Sequence, residues 1–267
     1  MYSRLAIASS ALVLASGVAA ISLSSQCQST LLTVASSPDS TCLNVAGLAG
    51  LLTTPQNQSL VQPINTWLAG ACGEDPCTNQ SLAAIVQNIT SGCGSDLSSI
   101  GFDNSSTGDV VSVVQQGYPT VRKIACLKQS SNNSLCVTSL LTQIEQAEGQ
   151  PLSIENIMND LPAMVMGQAK NVPSSIACSD CVKQAYTVLK QDEPAIASNT
   201  DVSNALSSQC GASFIDGSAA SNIVEGTGTA APSGAANGAI SFSSRGVLTG
   251  LAASALAAVS SAFFVLA

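Results

Sequence analysis

Histidine is absent from this 267-residue chain, and its absence excludes several kinds of chemistry. Ser-His-Asp and Cys-His catalysis need an imidazole as general base, and the common hydrolytic zinc and haem sites need one as a ligand. Basic residues are also scarce: eight lysines and arginines stand against sixteen acidic residues, and they form no cluster. Nucleic acid and anionic lipid surfaces are therefore poor partners for this chain.

Charged residues make up 9% of the chain and aromatic residues 3%, so a soluble surface must rely on Ser, Thr, Asn, Gln and sugars, and a sugar-binding cleft would have few aromatic platforms. No glycine-rich phosphate loop is present, and Asp216-Gly217-Ser218 has the wrong order for an aspartic-protease motif. Glu145 and Glu148 fall on one helical turn, where we expect a solvated face. We predict no catalytic residue, no cofactor and no metal. A carboxylate-dependent hydrolase stays open as an alternative, because two acids suffice for such a site.

Cysteine is abundant by contrast. The ten form an even set: Cys27, Cys42, Cys72, Cys77, Cys93, Cys126, Cys136, Cys178, Cys181 and Cys210. In a secreted chain this set predicts five disulfides, formed in an oxidising compartment. Spacing does not determine the pairing, although Cys126 and Cys136 are close enough for a local bridge. For the Cys178-to-Cys181 motif we favour ordinary disulfides over redox exchange or zinc, because no βαβ pattern surrounds it and the other close pair is loose.

The order of the cysteines leaves an internal duplication open. The first five are separated by 14, 29, 4 and 15 residues, and the second five by 9, 41, 2 and 28. In both groups the second gap is the largest and the third is the smallest. If the chain has two similar halves, at least one disulfide must join them, because five is an odd number.

The beginning of the chain has the pattern of a signal peptide in residues 1–20. One positive charge precedes an apolar run from Leu5 to Val18, and small residues follow at Ala19 and Ala20. An uncut signal anchor is the alternative, but the apolar run is short for a membrane span. The mature ectodomain would keep six basic and all sixteen acidic residues, for a net charge of −10.

The end of the chain has the pattern of a GPI-attachment signal. A run of small residues and a polar spacer precede Val247–Ala267, which carries no charge. We predict attachment at Asn237, with Gly234 and Ser233 as alternatives, and removal of residues 238–267 as a propeptide. A retained C-terminal membrane helix is the other reading, because this apolar tail is long enough to cross a bilayer.

Five Asn-X-Ser/Thr triplets predict N-glycosylation in the secretory pathway. Their acceptors are Asn57, Asn79, Asn88, Asn104 and Asn132. No such triplet lies in residues 133–237, so sugars would shield one part of the protein and leave the C-terminal half comparatively bare. We expect contacts with other proteins on the bare part.

Apolar residues recur at helical spacing through most of residues 21–210, and strand-like alternation is scarce. The predicted helical segments are 43–52, 59–71, 81–89, 109–127, 135–148, 181–189 and 202–210, with a further helix from Ser153. Pro119 should kink or break its segment. We therefore predict an all-α, disulfide-stapled helical bundle over residues 21–210. The stretch 211–237 is rich in Gly, Ala, Ser and Thr, and we predict a disordered linker there.

The densest motif runs from Tyr118 to Lys128 and is followed by Cys136-Val137. With Trp67-Leu68, Cys72, Cys77, the Ser91-Gly92-Cys93 turn and Cys178-Ser179-Asp180-Cys181-Val182, it resembles a fungal family of secreted, GPI-anchored cysteine-rich proteins whose domain has no assigned function. The resemblance spans about residues 40–210. It implies a fungal cell surface or wall and supplies no catalytic residue. Within the motif, Arg122 and Lys123 could bind an anion, but we expect Arg122 to pair with an acid and orient its helix.

The leading functional expectation is a glycoprotein of the cell surface or cell wall with a structural or interaction role. A GPI lipid would hold it to the membrane, and wall glycans or other surface proteins would be its partners. The alternative is an extracellular binding module for a lipid or sterol. The methionines between Ile157 and Met166 would suit the lining of such a site, although core packing explains them equally well.

Overall fold

The computed structural model describes residues 23–99, 102, 106–157, 173–197 and 200–226. Of the described residues, 71% are helical, and they also include one small sheet of two strands. The prediction of an all-α, disulfide-stapled fold is therefore confirmed. The predicted signal peptide, the GPI site with its alternatives, the propeptide, Asn104 and the Met158–Met166 segment lie outside the described residues.

Two groups of elements follow one another along the chain. The first contains α1 (Ser25–Ala35), α2 (Ala49–Thr53), α3 (Val61–Gly73), α4 (Asn79–Gly92) and α5 (Gly94–Ser99), with 3-10 turns at Pro38–Leu43 and Val45–Leu48. The second contains α6 (Thr107–Ala125), β1 (Leu127–Gln129), α7 (Cys136–Glu148), α8 (Ser174–Ala177), α9 (Asp180–Asp192), α10 (Pro194–Ala197), α11 (Thr200–Cys210), a 3-10 turn at Ala212–Phe214 and β2 (Ile223–Glu225). Residues 154–157 are also helical. No helix of the described ranges is both long and apolar enough to cross a membrane.

Local sequence signals explain where several helices begin and end. The Ser24 hydroxyl caps α1 by accepting a hydrogen bond from the Cys27 N–H, and Thr78 caps α4 through the Ser81 N–H. Helix α7 ends at Gly149, whose positive φ of 67° suits glycine and stops the helix.

Helix α6 continues through Pro119, so a break there is wrong, and the alternative of a kink stays a prediction. Proline removes one backbone N–H, which leaves the carbonyl four residues earlier without its usual partner. Pro119 is exposed, so water can satisfy that carbonyl. Contacts of Tyr118 and Thr120 with neighbouring elements hold the helix on both sides of the proline.

The main core surrounds α9, whose side chains Cys181, Val182 and Ala185 to Leu189 are buried. Leu127, Leu206, Phe214 and Ile223 pack into the same cluster from β1, α11 and the segment that follows α11. A second, smaller cluster joins α3 to the end of α6 and the start of α7 through Leu68, Cys72, Cys126 and Leu135. The helices that carry these residues are amphipathic, so their apolar faces meet in these two clusters.

All ten cysteines are paired, which confirms the five predicted disulfides. The pairs are Cys27–Cys93, Cys42–Cys77, Cys72–Cys126, Cys136–Cys181 and Cys178–Cys210. The local Cys126–Cys136 bridge is therefore wrong. The two cysteines of the Cys178-to-Cys181 motif bond to different partners, so they do not form a dithiol pair. These bridges close loops of 32 to 66 residues, and the chain-entropy model assigns each about 4 kcal/mol of stabilisation.

The pairing is repeated only in part between the two cysteine groups. In both groups the second cysteine bonds to the fourth, as Cys42–Cys77 and as Cys136–Cys181. In the first group the fifth cysteine bonds to the first, as Cys27–Cys93, whereas in the second group the fifth bonds to the third, as Cys178–Cys210. The Cys72–Cys126 bond crosses between the groups. The disulfide topology therefore agrees with two similar halves at one bridge in each group and at the crossing bridge, but not at the others, and the duplication stays a prediction.

The segment after α11 is folded through Gly226, so the predicted start of a linker at residue 211 is too early. Phe214, Ala220 and Ile223 are buried, and β2 pairs antiparallel with β1. Helix α9 holds the backbone of this segment from the side. Lys183 Nζ donates to the Ser213 carbonyl at 3.1 Å, and Lys190 Nζ donates to the Ile215 carbonyl at 2.9 Å.

A close approach between the turn at residues 43–48 and α3 depends on two glycines. Asn44 has a positive φ of 47°, and its Nδ2 donates to the Trp67 carbonyl at 3.0 Å. In return, Trp67 Nε1 donates to the Leu43 carbonyl at 2.9 Å. A Cβ atom at Gly47 or Gly70 would overlap the Asn44 side-chain amide.

We expect Gly70→Ala to destabilise the protein by about 1–3 kcal/mol, because the overlap with Asn44 costs more than the helix propensity that alanine adds. Thermal unfolding measures the change. Gly73→Ala, in the last position of the same helix, is the matched control, since nothing lies within 4 Å of a Cβ atom there. Equal effects of the two substitutions would contradict the close contact.

Candidate functional site

The Tyr118–Lys128 motif supplies the densest set of polar contacts between the two groups of elements. Tyr118, Arg122 and Cys126 lie four residues apart on one face of α6, and we call them the α6 clamp. The Cys77 N–H donates to Tyr118 Oη at 3.0 Å. Cys126 forms the disulfide with Cys72. All three clamp residues thus contact the segment 71–77, where α3 ends.

Arg122 caps the C-terminal end of α3. Its Nη1 donates to the Ala71 carbonyl at 2.9 Å and to Tyr118 Oη at 3.3 Å, and its Nη2 donates to the Glu74 carbonyl. A cation at this position also complements the partial negative charge of the helix end. The contacts of Arg122 are thus two backbone carbonyls and a phenol, and the expected pairing with an acid stays a prediction. Arg122 does orient a helix, although that helix is α3.

Lys123 joins α6 to the end of α9. Its Nζ lies 2.8 Å from Asp192 Oδ2, and the Thr120 hydroxyl donates to the same oxygen at 3.4 Å. Burial raises the pKa of the neighbouring Glu193 carboxyl, and the negative charge of Asp192 raises it further. These acids are adjacent in sequence, but Asp192 is bound to a lysine and neither residue lines either of the two surface depressions described below.

Glu145 and Glu148 do not form the solvated face that we predicted. Both side chains are partly buried, and Glu145 Oε1 accepts a hydrogen bond of 2.7 Å from the Leu152 N–H. Glu145 therefore holds the turn that follows α7. Its structural use gives no support to a catalytic pair.

Two surface depressions are lined mostly by polar side chains. One, of about 390 Å³, lies between the end of α1 and the turn at residues 43–48, and includes the buried Ser40. The other, of about 260 Å³, lies along α7 and includes Asn132. Neither offers the apolar lining that a lipid or sterol needs. Within the described ranges, no group of three or more acidic or cysteine side chains is placed to hold a metal ion.

The four described acceptor asparagines of the glycosylation triplets are all exposed: Asn57, Asn79, Asn88 and Asn132. Asn57 precedes α3, and Asn79 and Asn88 lie on α4. Asn132 lies in the turn between β1 and α7, where its Oδ1 accepts a 3.0 Å hydrogen bond from the Ser134 N–H. A sugar could be attached to any of the four without disturbing the core.

Comparison with known proteins finds no matching family model, no similar curated protein and no similar solved structure. The resemblance to a fungal cysteine-rich family therefore stays a prediction. The contacts of the Tyr118–Lys128 motif join α6 to α3 and to α9.

We expect Arg122→Met to destabilise the protein by about 2–4 kcal/mol, because charge-assisted hydrogen bonds to three oxygens are lost together. Lys123→Met is the control, since its partly exposed ion pair with Asp192 is worth about 1 kcal/mol. Denaturant unfolding measures both. If Arg122 instead bound an anion, phosphate would raise the melting temperature of the wild type and Arg122→Met would lose that response with little change in stability.

The raised pKa of Glu193 predicts the sign of a pH effect. The folded state holds the proton more tightly than the unfolded state, so stability falls as pH rises from the usual value of 4.5 through the raised one. We therefore expect Glu193→Gln to be more stable than the wild type at neutral pH and equal to it at low pH. Thermal melts across pH 3–8 (roughly, the span that brackets carboxyl titration) measure the difference.

Asp96→Asn is the matched control of opposite sign. Hydrogen bonds from the Ser24 hydroxyl and N–H lower the pKa of Asp96, so its contribution is present above the usual value of 3.8 and lost as pH falls through the lowered value. This variant should be less stable than the wild type at neutral pH and approach it at low pH. A loss of stability in Glu193→Gln at neutral pH would contradict the argument.

Proposed function

We propose that this protein is a GPI-anchored glycoprotein of the cell surface or cell wall, with a structural or interaction role and no catalytic activity. The observation that carries the proposal is the exposure of every described acceptor asparagine on a domain held by five disulfides. Five disulfides are a feature of extracellular or secreted proteins, where the thiols oxidise and the bonds persist. Sugars on such a domain would supply the solubility that its few charges do not.

The anchor is supported by the pattern at residues 233–267, where small residues, a polar spacer and an apolar tail follow in the required order. The segment between the described fold and the attachment site is shorter than the linker that we predicted from residue 211. Because the described fold reaches Gly226, no more than eleven residues separate it from Asn237, and a segment of that length spans at most about 40 Å. Such a short tether would hold the domain close to the membrane or to the wall polymer.

The absence of histidine supports a role without catalysis. The contacts of three charged side chains support it as well. Arg122, Lys123 and Glu145 are all bonded within the fold, and each bond joins or ends a helix. These are the residues that the sequence offers as candidates for chemistry, and their geometry gives each a structural task. Wall glycans or other surface proteins are the proposed partners, and the less glycosylated second half is the proposed contact surface.

When a eukaryotic host expresses the full chain, we expect a phosphatidylinositol-specific phospholipase to release the mature protein from the cell surface. Mass spectrometry of the released protein should find an ethanolamine phosphate on a peptide that ends at Asn237. Variants with bulky residues at Ser233, Gly234 and Asn237 should stay unprocessed, because the transamidase accepts only small residues at and after the attachment site.

A peptide from residues 247–267 recovered in the mature membrane fraction would contradict the anchor and support a retained membrane helix. Native and denaturing mass spectra test the role separately. A small molecule that is lost on denaturation would overturn the structural role in favour of a carrier, whereas turnover of wall glycans would support a hydrolase. The control is the same chain with Arg122→Met, which should alter stability but leave the anchor attached.

A further inference from the structure

The 260 Å³ depression along α7 has an unusual lining. Its seven residues are Asn132, Ser134, Thr138, Ser139, Thr142, Gln143 and Gln146, and we call it the Asn132 groove. Every one of them carries a hydroxyl or an amide, and none is charged. The volume lies just below the range of about 300–1,000 Å³ that is usual for drug-sized ligands, so it suits a smaller group.

The helical part of the groove is one continuous polar stripe. Thr138, Thr142 and Gln146 follow one another at four-residue spacing, and Ser139 and Gln143 lie beside them. The stripe is about 12 Å long, since the helix rises about 1.5 Å at each of the eight steps from Thr138 to Gln146. Asn132 lies just before the helix, at the end of the stripe where a chain of linked rings could enter it.

The side chain of Asn132 is oriented for attachment. Its partner at 3.0 Å is the Ser134 N–H, which is a donor, so the atom that accepts must be the amide oxygen Oδ1. Glycosylation uses the other atom, Nδ2, and leaves Oδ1 and its hydrogen bond unchanged. The turn can therefore persist after modification and fix the direction in which the sugar leaves.

The stripe keeps hydrogen-bonding capacity for a neutral polar ligand. The Thr138 hydroxyl donates to Asn65 Oδ1 at 2.9 Å and the Thr142 hydroxyl donates to the Thr138 carbonyl at 2.9 Å, so both oxygens can still accept. Ser139 Oγ accepts from Gln143 Nε2 at 3.2 Å, which leaves its proton to donate. A sugar presents hydroxyl donors and an acetamido carbonyl, and it matches this set without a buried charge.

We propose that the N-linked glycan on Asn132 folds back and places its first sugars in the Asn132 groove. This inference rests on the proposed function as a secreted glycoprotein. Attachment forms a bond between Asn132 Nδ2 and the anomeric carbon of a lipid-diphosphate-linked oligosaccharide. The bond from that carbon to the diphosphate breaks, the lipid diphosphate leaves with the electron pair, and Nδ2 loses one proton.

The test measures how fast peptide N-glycosidase releases each glycan from the native, full-length secreted protein, with site-by-site mass spectrometry. Release at Asn132 should be at least about tenfold slower than at Asn57, because about two hydrogen bonds must open first. Denatured protein should lose both glycans at similar rates. The double variant Thr142→Ala, Gln143→Ala keeps the Asn132-Asn133-Ser134 triplet, and its Asn132 glycan should be released at the Asn57 rate.

Thr66→Ala is the matched control, because the Thr66 hydroxyl donates to a carbonyl four residues earlier, as that of Thr142 does, but lies on α3 outside the groove. It should leave the slow release at Asn132 unchanged. Two results would contradict the placement of the glycan in the groove and leave the proposed function intact. One is an equal rate of glycan release at Asn132 and Asn57 in the native protein. The other is slow release at Asn132 that persists in the double variant. An unmodified Asn132 beside occupied Asn57, Asn79 and Asn88 does the same. A chain that is neither secreted nor glycosylated overturns the proposed function itself.

Discussion

The disulfide between Cys72 and Cys126 is the bond on which the rest of the arrangement depends. It is the bridge that crosses between the two cysteine groups, and both of its cysteines are buried. It joins the end of α3 to the end of α6, where Arg122 also caps the α3 carbonyls. Strand β1 begins at the next residue, and the Gly226 N–H donates to the Cys126 carbonyl. The position of the sheet, and with it the last folded segment, therefore follows from this junction.

Covalent bonds matter here because several positions of the core hold small side chains. Alanines at positions 177, 185, 197 and 220 are among its buried residues. An apolar surface contributes about 25 cal/mol per Å² that is buried, so an alanine at these positions yields less than a Leu or Phe would. Cross-links that restrict the unfolded chain offset that deficit. A chain with 3% aromatic residues is thus better suited to an oxidising compartment than to a reducing one.

The sequence predicted the helices well where periodicity and caps agreed, as for α3, α4, α7 and α9. It predicted the number of disulfides from an even count, but spacing along a chain does not give distance in space, and the local bridge was wrong. The folded segment 211–226 was missed because a composition rich in Gly, Ala and Ser hid four large apolar residues, Phe214, Ile215, Ile223 and Val224. Two lysines on α9 donate hydrogen bonds to backbone carbonyls of the segment 211–226. No local sequence pattern predicts contacts between residues so far apart in the chain. Arg122 could be placed on a helix, but its partners could not, because backbone carbonyls leave no mark in the sequence.

The same composition that excludes histidine-based catalysis is suited to contact with carbohydrate. A charged side chain that approaches a sugar must give up strongly bound water, and a neutral hydroxyl or amide gives up much less. Helix α7 presents Ser, Thr and Gln along the Asn132 groove, so hydrogen bonds to a sugar would replace hydrogen bonds to water at little net cost. Each such bond is weak by itself. A sugar that is tethered to Asn132 is already at high local concentration, so a weak contact is enough to hold it.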